Sequence, residues 1–294
     1  TRYPLVTGVQ TCALPILKSA IDQAFQNIHK FHAVQVSEPE IIETLPGVQC
    51  WRKSVGIEKV GIYIPGGTAP LFSTVLMLAI PAAIAGCKQI VLCSPSNHPA
   101  IYYAAKIAGV TDIFRIGGAQ AIAAMAFGTE QVPQVYKIFG PGNQYVTAAK
   151  QMVNQYGIAI DMPAGPSEVA VLADHRANPE FIASDLLSQA EHGADSQVIL
   201  VADDKNIIEK SIEAVYRQLE DLPRKELAAK SLENSKGILV KDLKVAIEIL
   251  NQYAPEHLIL STENPDEILD KIVNAGSVFI GLYSGIVRRL CFRY

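Results

Sequence analysis

From Val60 to Gly281 the sequence switches repeatedly between short runs rich in valine and isoleucine and longer amphipathic segments, many ending at glycine. "VGIYI", "QIVLCSP", "DIFRIG" and "QVYKIFG" have the length and composition of strands. Between them "APLFSTVLMLAIPAAIAG", "PAIYYAAKIAG", "AQAIAAMAFG" and "NQYVTAAKQMVNQYG" read as helices, the first expected to begin at Ala69. The rhythm restarts after "DMPAGPS" with the strands "EVAVLAD", "SQVILVAD", "GILV", "HLILST" and "SVFIG". Near-continuous apolar strands alternating with helices require parallel sheets covered on both faces. The expected fold is therefore α/β, with two Rossmann-like doubly wound units whose sheets are mostly parallel. No sequence repeat relates the two sets. Right-handed crossovers put ligands at the carboxyl ends of the strands, so the chemistry-bearing motifs are expected largely at those ends.

The 294 residues are 49% hydrophobic and 18% charged, which fits a well-buried α/β protein and argues against disorder. A net charge of −4 removes the electrostatic reason to expect nucleic acid or an anionic membrane as partner. The longest apolar run carries Ser73, Thr74 and Pro81 and leads at once into a strand, so it reads as a buried helix, not a membrane span. The five cysteines form no C-x-x-C pair, which points to a reduced cytoplasmic setting, and Cys87 and Cys93 sit in apolar context as core thiols. "LKSAIDQAFQNIHKFH" is a good amphipathic helix, but residues 1–16 before it have neither helical nor strand periodicity and no signal-peptide pattern. They are expected to be non-native, and residues 282–294, which turn basic and aromatic after a clean strand, to be aberrant.

Three glycine-rich strand-to-helix turns stand out. "YIPGGTAPLFS" (63–73), "IGGAQAIA" (116–123) and "FGPGNQYV" (139–146) would let backbone N–H groups approach a phosphate at a helix start, and together they favour a nucleotide cleft. None is G-x-G-x-x-G, and Asn143 taken alone reads as a helix cap. "DMPAGPSEV" joins the units as a stiff crossover, where Ser167 either touches a ligand or ends a turn. "SQAEHG" puts Gln189 and His192 three residues apart on one helix face, close enough to reach one ion. "YAPEHLI" presents Glu256 and His257 at a strand start; a Glu-His pair beside a cleft suits general acid/base work, although an isolated pair is more often structural. His29, His32, His98 and His175 receive no role.

In order and spacing, "GIYIPGGTAPLFSTVLMLA", "GGAQAIAA", "KIFGPGN", "DMPAGPSEV", "DLLSQAEHG" and "PEHL" resemble histidinol dehydrogenases, over about Leu17 to Gly281. The resemblance implies oxidation of L-histidinol to L-histidine through L-histidinaldehyde with two NAD+, one Zn2+ per site, and a homodimer. It implies that Tyr63, Gln120 and Asn143 contact NAD, that Ser167 contacts substrate, and that Gln189 and His192 bind zinc beside the substrate. Glu256 and His257 become the acid/base pair, with His257 also next to the substrate. Residues 63–167 would form the NAD-binding unit, and residues 17–62 plus 168–281 the unit holding the zinc, substrate and acid/base residues. The family's third zinc ligand, an aspartate, falls by spacing at Leu290, so this chain is expected to keep the dinucleotide cleft but to bind zinc weakly and turn over little or nothing. The competing expectations are a non-catalytic nucleotide-binding fragment and a metal-free aldehyde dehydrogenase; the latter lacks an exposed cysteine after a Gly-rich turn.

Overall fold

A computed structural model describes residues 2–3, 15–66, 70–163 and 167–283. Leu290, Gly67, Gly165 and Pro166, on which expectations above fall, lie outside them, as do most of residues 1–16 and 282–294. The chain divides into two compact units, Thr1–Ala164 and Gly165–Tyr294.

The first unit runs β1 (Arg2–Tyr3), α1 (Pro15–Ala33), β2 (Ile42–Leu45), β3 (Val48–Cys50), β4 (Lys59–Tyr63), α2 (Phe72–Ile84), β5 (Gln89–Cys93), α3 (Pro99–Ile107), β6 (Asp112–Phe114), α4 (Gly118–Phe127), β7 (Lys137–Phe139), α5 (Gln144–Asn154) and β8 (Ala159–Ile160). Its six-stranded sheet has the order β1-β6-β5-β4-β7-β8, parallel except for the β1–β6 pair. Alternation along each strand feeds two cores. Ile62, Ile90 and Leu92 pack with Val75, Leu76, Ile80 and Ile101 of α2 and α3. Tyr63, Val91, Cys93 and Ile138 pack on the other face with Ile122, Met125 and Val146 of α4 and α5. This two-sided burial is why the strands read as unbroken apolar runs. Ala69, from which the second helix was expected, lies outside the described residues, and α2 is described from Phe72.

The second unit runs β9 (Glu168–Ala173), α6 (Pro179–Ala190), β10 (Gln197–Ala202), α7 (Lys205–Leu219), α8 (Lys225–Glu233), β11 (Lys236–Leu239), α9 (Leu243–Tyr253), β12 (His257–Ser261), α10 (Asp266–Leu269) and β13 (Ser277–Ile280). Its sheet, β11-β10-β9-β12-β13, is wholly parallel. Counted by order of appearance, its five strands and the parallel strands β4 to β8 of the first unit both follow the pattern 3-2-1-4-5. Two Rossmann-like units are thus present despite the missing sequence repeat.

Two expectations change. Residues 17–62 were expected with 168–281, but α1 packs on α2 and α3 through Ile21, Phe25 and Ile28, and β4 lies at the centre of the first sheet. They belong to the first unit because their apolar face is buried there. The hairpin β2–β3 was not anticipated; it is exposed throughout, with Ile42, Leu45, Val48 and Trp51 open to solvent.

Candidate functional site

In the first unit the strand order reverses between β4 and β7, and their connections leave in opposite directions. A crevice opens at the carboxyl ends of such a strand pair. Tyr63 ends β4 there, with Gln120 after β6 and Asn143 after β7, so three of the expected residues gather on this edge. Tyr63 is only 3% exposed, and its hydroxyl accepts the backbone N–H of Gly118 at 3.0 Å, in a turn where Gly118 has φ +69°. Its main chain meets the other turn: a Cβ at Gly140 would stand 2.0 Å from the Tyr63 carbonyl oxygen. Tyr63 thus touches two of the three turns.

Two of the glycines also have a packing reason within the protein. A Cβ at Gly66 would lie 2.6 Å from Pro95 Cγ, and one at Gly117 would lie 2.8 Å from the same atom. These two glycines make room for Pro95, which follows β5 and sits between both turns, so their necessity is met within the protein. Asn143 does cap α5: its Oδ1 accepts from the N–H groups of Tyr145 and Val146, both at 3.1 Å. Capping consumes the carbonyl and leaves the exposed side-chain amide N–H groups for a ligand. Gln120 is exposed in the first turn of α4, curled so that a Cβ at Gly118 would be 2.7 Å from its Oε1.

The second unit reverses the expected polarity. Its candidate residues lie at the amino edge of the sheet, not at the carboxyl ends. Ser167 immediately precedes β9, Glu168 begins it, and His257 begins β12. Gln189 and His192 reach the same edge because a crossover helix must run back antiparallel to the strands it links, so α6 ends where β10 begins. At the carboxyl ends, where β9 and β12 diverge, the Asp174 carboxylate accepts the N–H groups of Arg176 (2.9 Å) and Glu263 (2.7 Å) and ties the two loops together.

His257 is tightly placed. Its Nδ1 lies 3.3 Å from the Glu168 carbonyl oxygen and 3.6 Å from Glu256 Oε2, while the Glu168 N–H donates to Glu256 Oε2 at 3.3 Å. A carbonyl only accepts, so this contact places the ring proton on Nδ1 and leaves Nε2 as the basic nitrogen. The side chain is 25% exposed, with the Phe279 ring 5.9 Å away. Ala254, two residues upstream of Glu256, adopts φ 53°, ψ 58°, a left-handed conformation costing a non-glycine residue about 1–2 kcal/mol. From the other side Gly276 presses on this loop: its N–H donates to the Pro255 carbonyl at 3.0 Å, and a Cβ there would lie 2.7 Å from the Glu256 carbonyl oxygen. Tyr253 closes the edge by donating to Gln197 Oε1 at 2.9 Å; burial first, and then the Glu168 charge, push its hydroxyl up to about 12.

Gln189 is 4% exposed, and no described residue hydrogen-bonds its side-chain amide, whereas His192 is exposed. An amide and an imidazole three residues apart at a helix end are chemically suited to an ion, but these are two donors where zinc takes four. Among the described residues, no three His, Cys, Asp or Glu side chains gather closely enough to hold a metal. Ser167 contributes its carbonyl to the Gln197 N–H at 3.1 Å. Glu168, Tyr253, Ala254 and Gly276 were not singled out from sequence.

Two Rossmann-like units within one chain define an α/β class of fold. An NAD-dependent aldehyde dehydrogenase from Sinorhizobium meliloti shares the fold at TM-score 0.57 and 14% identity, over 88% of this chain and 65% of that one. Within that class the chain belongs to the histidinol dehydrogenase family, whose pattern matches residues 11–287. Histidinol dehydrogenase of Bacteroides thetaiotaomicron is 64% identical over 270 residues, covering 90% of this chain and 63% of the relative. The Escherichia coli K12 enzyme is 58% identical over 271 residues, covering 91% of this chain and 62% of the relative. A crystal structure of histidinol dehydrogenase from Elizabethkingia anophelis superposes with TM-score 0.96 at 54% identity, over 98% of this chain and 68% of that one. The chain therefore spans under two thirds of the length of these curated relatives.

Proposed function

We propose that this chain carries the machinery for oxidising L-histidinol to L-histidine through L-histidinaldehyde. The observation that carries the proposal is the placement of His257, with Nδ1 held by the Glu168 carbonyl and 3.6 Å from Glu256 Oε2, and Nε2 left basic. In the first step Nε2 takes the hydroxyl proton while the C–H hydride leaves, giving the aldehyde. In the second, the Glu256 carboxylate removes a proton from water as it adds to the aldehyde, and the resulting monoanion of the hydrate loses a second hydride to give the acid. NAD+, when bound at the crevice of Tyr63, Gln120 and Asn143, is the hydride acceptor in both steps. The crevice fits such a ligand because the Asn143 amide and the exposed Gln120 side chain remain free at two helix starts. Ser167 contacts the substrate. Gln189 and His192 would supply two donors to Zn2+, too few among the described residues for zinc to carry a step, and zinc occupancy of this chain is expected to be low.

The exposed apolar side chains of β2–β3 support a homodimer. No described helix is long and apolar enough to cross a membrane, and the unpaired thiols Cys50, Cys87 and Cys93 support a cytoplasmic setting. The test is L-histidinol-dependent NADH formation by the purified chain, with zinc stoichiometry measured alongside. Two NADH per histidine formed, lost by about 10²–10⁴-fold in His257→Asn, is the expected result. Absence of histidinol-dependent NADH, or a His257→Asn variant as fast as the parent, would overturn the assignment.

A further inference from the structure

Gly140, the first residue after β7, has both of its main-chain polar groups held by side chains. Its N–H donates to Asp161 Oδ2 at 2.8 Å, and its carbonyl accepts from Lys150 Nζ at 2.9 Å. Lys150 and Asp161 also pair with each other, which closes a ring around one peptide residue. Lys150 lies on α5 and is 5% exposed; Asp161 follows β8. Gly140 itself has φ +129° and no space for a side chain against Tyr63, so the turn has a single permitted path.

Stability alone does not explain a buried lysine here. Replacing a buried ion pair by well-packed apolar residues is commonly neutral or stabilising, so such a pair is better understood by the geometry it imposes. What it fixes is the turn of residues 140–143, which begins α5 and carries Asn143. The Asn143 carbonyl is already committed to the cap, so the direction of its free N–H groups follows the turn rigidly.

We propose that Lys150 and Asp161 are positioning residues for the dinucleotide: as a pair they lock the Gly140 peptide and thereby aim Asn143 into the crevice between the ends of β4 and β7. The inference rests on the dinucleotide reading of that crevice. It is tested on the full chain with Lys150→Met and the double variant Lys150→Met/Asp161→Asn, which removes the charge left unpaired by the first change. NADH affinity is measured by fluorescence titration, amide hydrogen exchange across residues 140–147 by mass spectrometry, and thermal stability separately.

The single variant should bind NADH about tenfold more weakly and exchange faster across the turn. The double variant should recover thermal stability without recovering affinity, an outcome that a purely structural pair would not produce. Wild-type binding with unaltered affinity in Lys150→Met, or affinity returning together with stability in the double variant, overturns the inference alone. A wild-type chain that does not bind NADH overturns the dinucleotide reading and this inference with it.

Discussion

Gly276→Ala is the sharpest perturbation of the Glu256–His257 edge that substitutes none of the proposed reacting groups. The new methyl would sit 2.7 Å from the Glu256 carbonyl oxygen and 3.4 Å from its carbonyl carbon, both main-chain atoms that cannot rotate away. About 0.7 Å of overlap must be relieved by moving one strand start against the other. Overpacking of this kind costs about 1–3 kcal/mol. The movement also strains the Gly276 N–H to Pro255 bond (3.0 Å) and the Ser277 N–H to Glu256 bond (2.9 Å). Loss of one adds about 1 kcal/mol. The sum, roughly 2–4 kcal/mol, lowers the urea midpoint of the second unit by about 1–2 M at a slope near 2 kcal/mol/M. His257 moves with the loop, and its Nδ1 is already 3.3 Å from the Glu168 oxygen, so little displacement breaks that contact. Turnover should fall by about 10- to 100-fold. Circular dichroism in urea gives the midpoint, hydrogen exchange locates the loss to β12 and β13, and histidinol-dependent NADH formation gives the rate. Gly157→Ala is the control: it has φ +87° and nothing within 4 Å, so only the left-handed backbone cost of about 1–2 kcal/mol applies. A Gly276→Ala variant no less stable than this control, with parental turnover, would refute the reasoning.

Three further outcomes are expected. Tyr63→Phe strips the Gly118 N–H of its acceptor at a 3% exposed position and should cost about 1–3 kcal/mol, read by denaturation, with weaker NADH binding by titration. Cys93 is fully buried and its thiol is pushed up to about 12 by that burial, so iodoacetamide mapping should label exposed Cys50 quickly and Cys93 only on unfolding; rapid native labelling of Cys93 would count against its place in the core. Burial, the hydrogen bond to Asp22 and the Asp22 charge raise the Tyr103 hydroxyl from 10.0 to about 12. Folding therefore favours its protonated form, and this contribution is complete below pH 10 and lost as pH rises through about 12. Urea midpoints from pH 8 upward should show the decline, and Tyr103→Phe should lessen it; an identical decline in the variant would exclude Tyr103 as a source.

The two-unit α/β architecture was legible because strands buried on both faces must be apolar throughout, as Ile90 to Cys93 and Val169 to Ala173 are. The β2–β3 hairpin was missed although "LPGVQ" carries a turn signal, with Gly47 at φ +84°; its strands are short and bury nothing, so periodicity gives no cue. Tyr63, Gln120 and Asn143 lie at the carboxyl ends of their strands as expected, whereas the second unit's candidate residues lie at the amino edge. The sign of that difference was present in the sequence, since His257 starts its strand. Glu168, Gly276 and Lys150 escaped notice because each acts through main-chain atoms distant in sequence, which residue type alone does not reveal.

The opposite placement of the two sets of residues has an electrostatic consequence. Gln120 and Asn143 stand at the starts of α4 and α5, whereas Gln189 and His192 stand at the end of α6. Aligned peptide dipoles give a helix start about half a positive charge and a helix end about half a negative one. No basic residue occupies the last turn of α6 to quench its pole. The first unit therefore presents an electropositive rim that suits a pyrophosphate, and the second an electronegative rim that suits a metal ion or a protonated amine. The backbone has sorted anion from cation before any charged side chain takes part, so an exchange of the two residue sets between the units would set each against the field of its own helices.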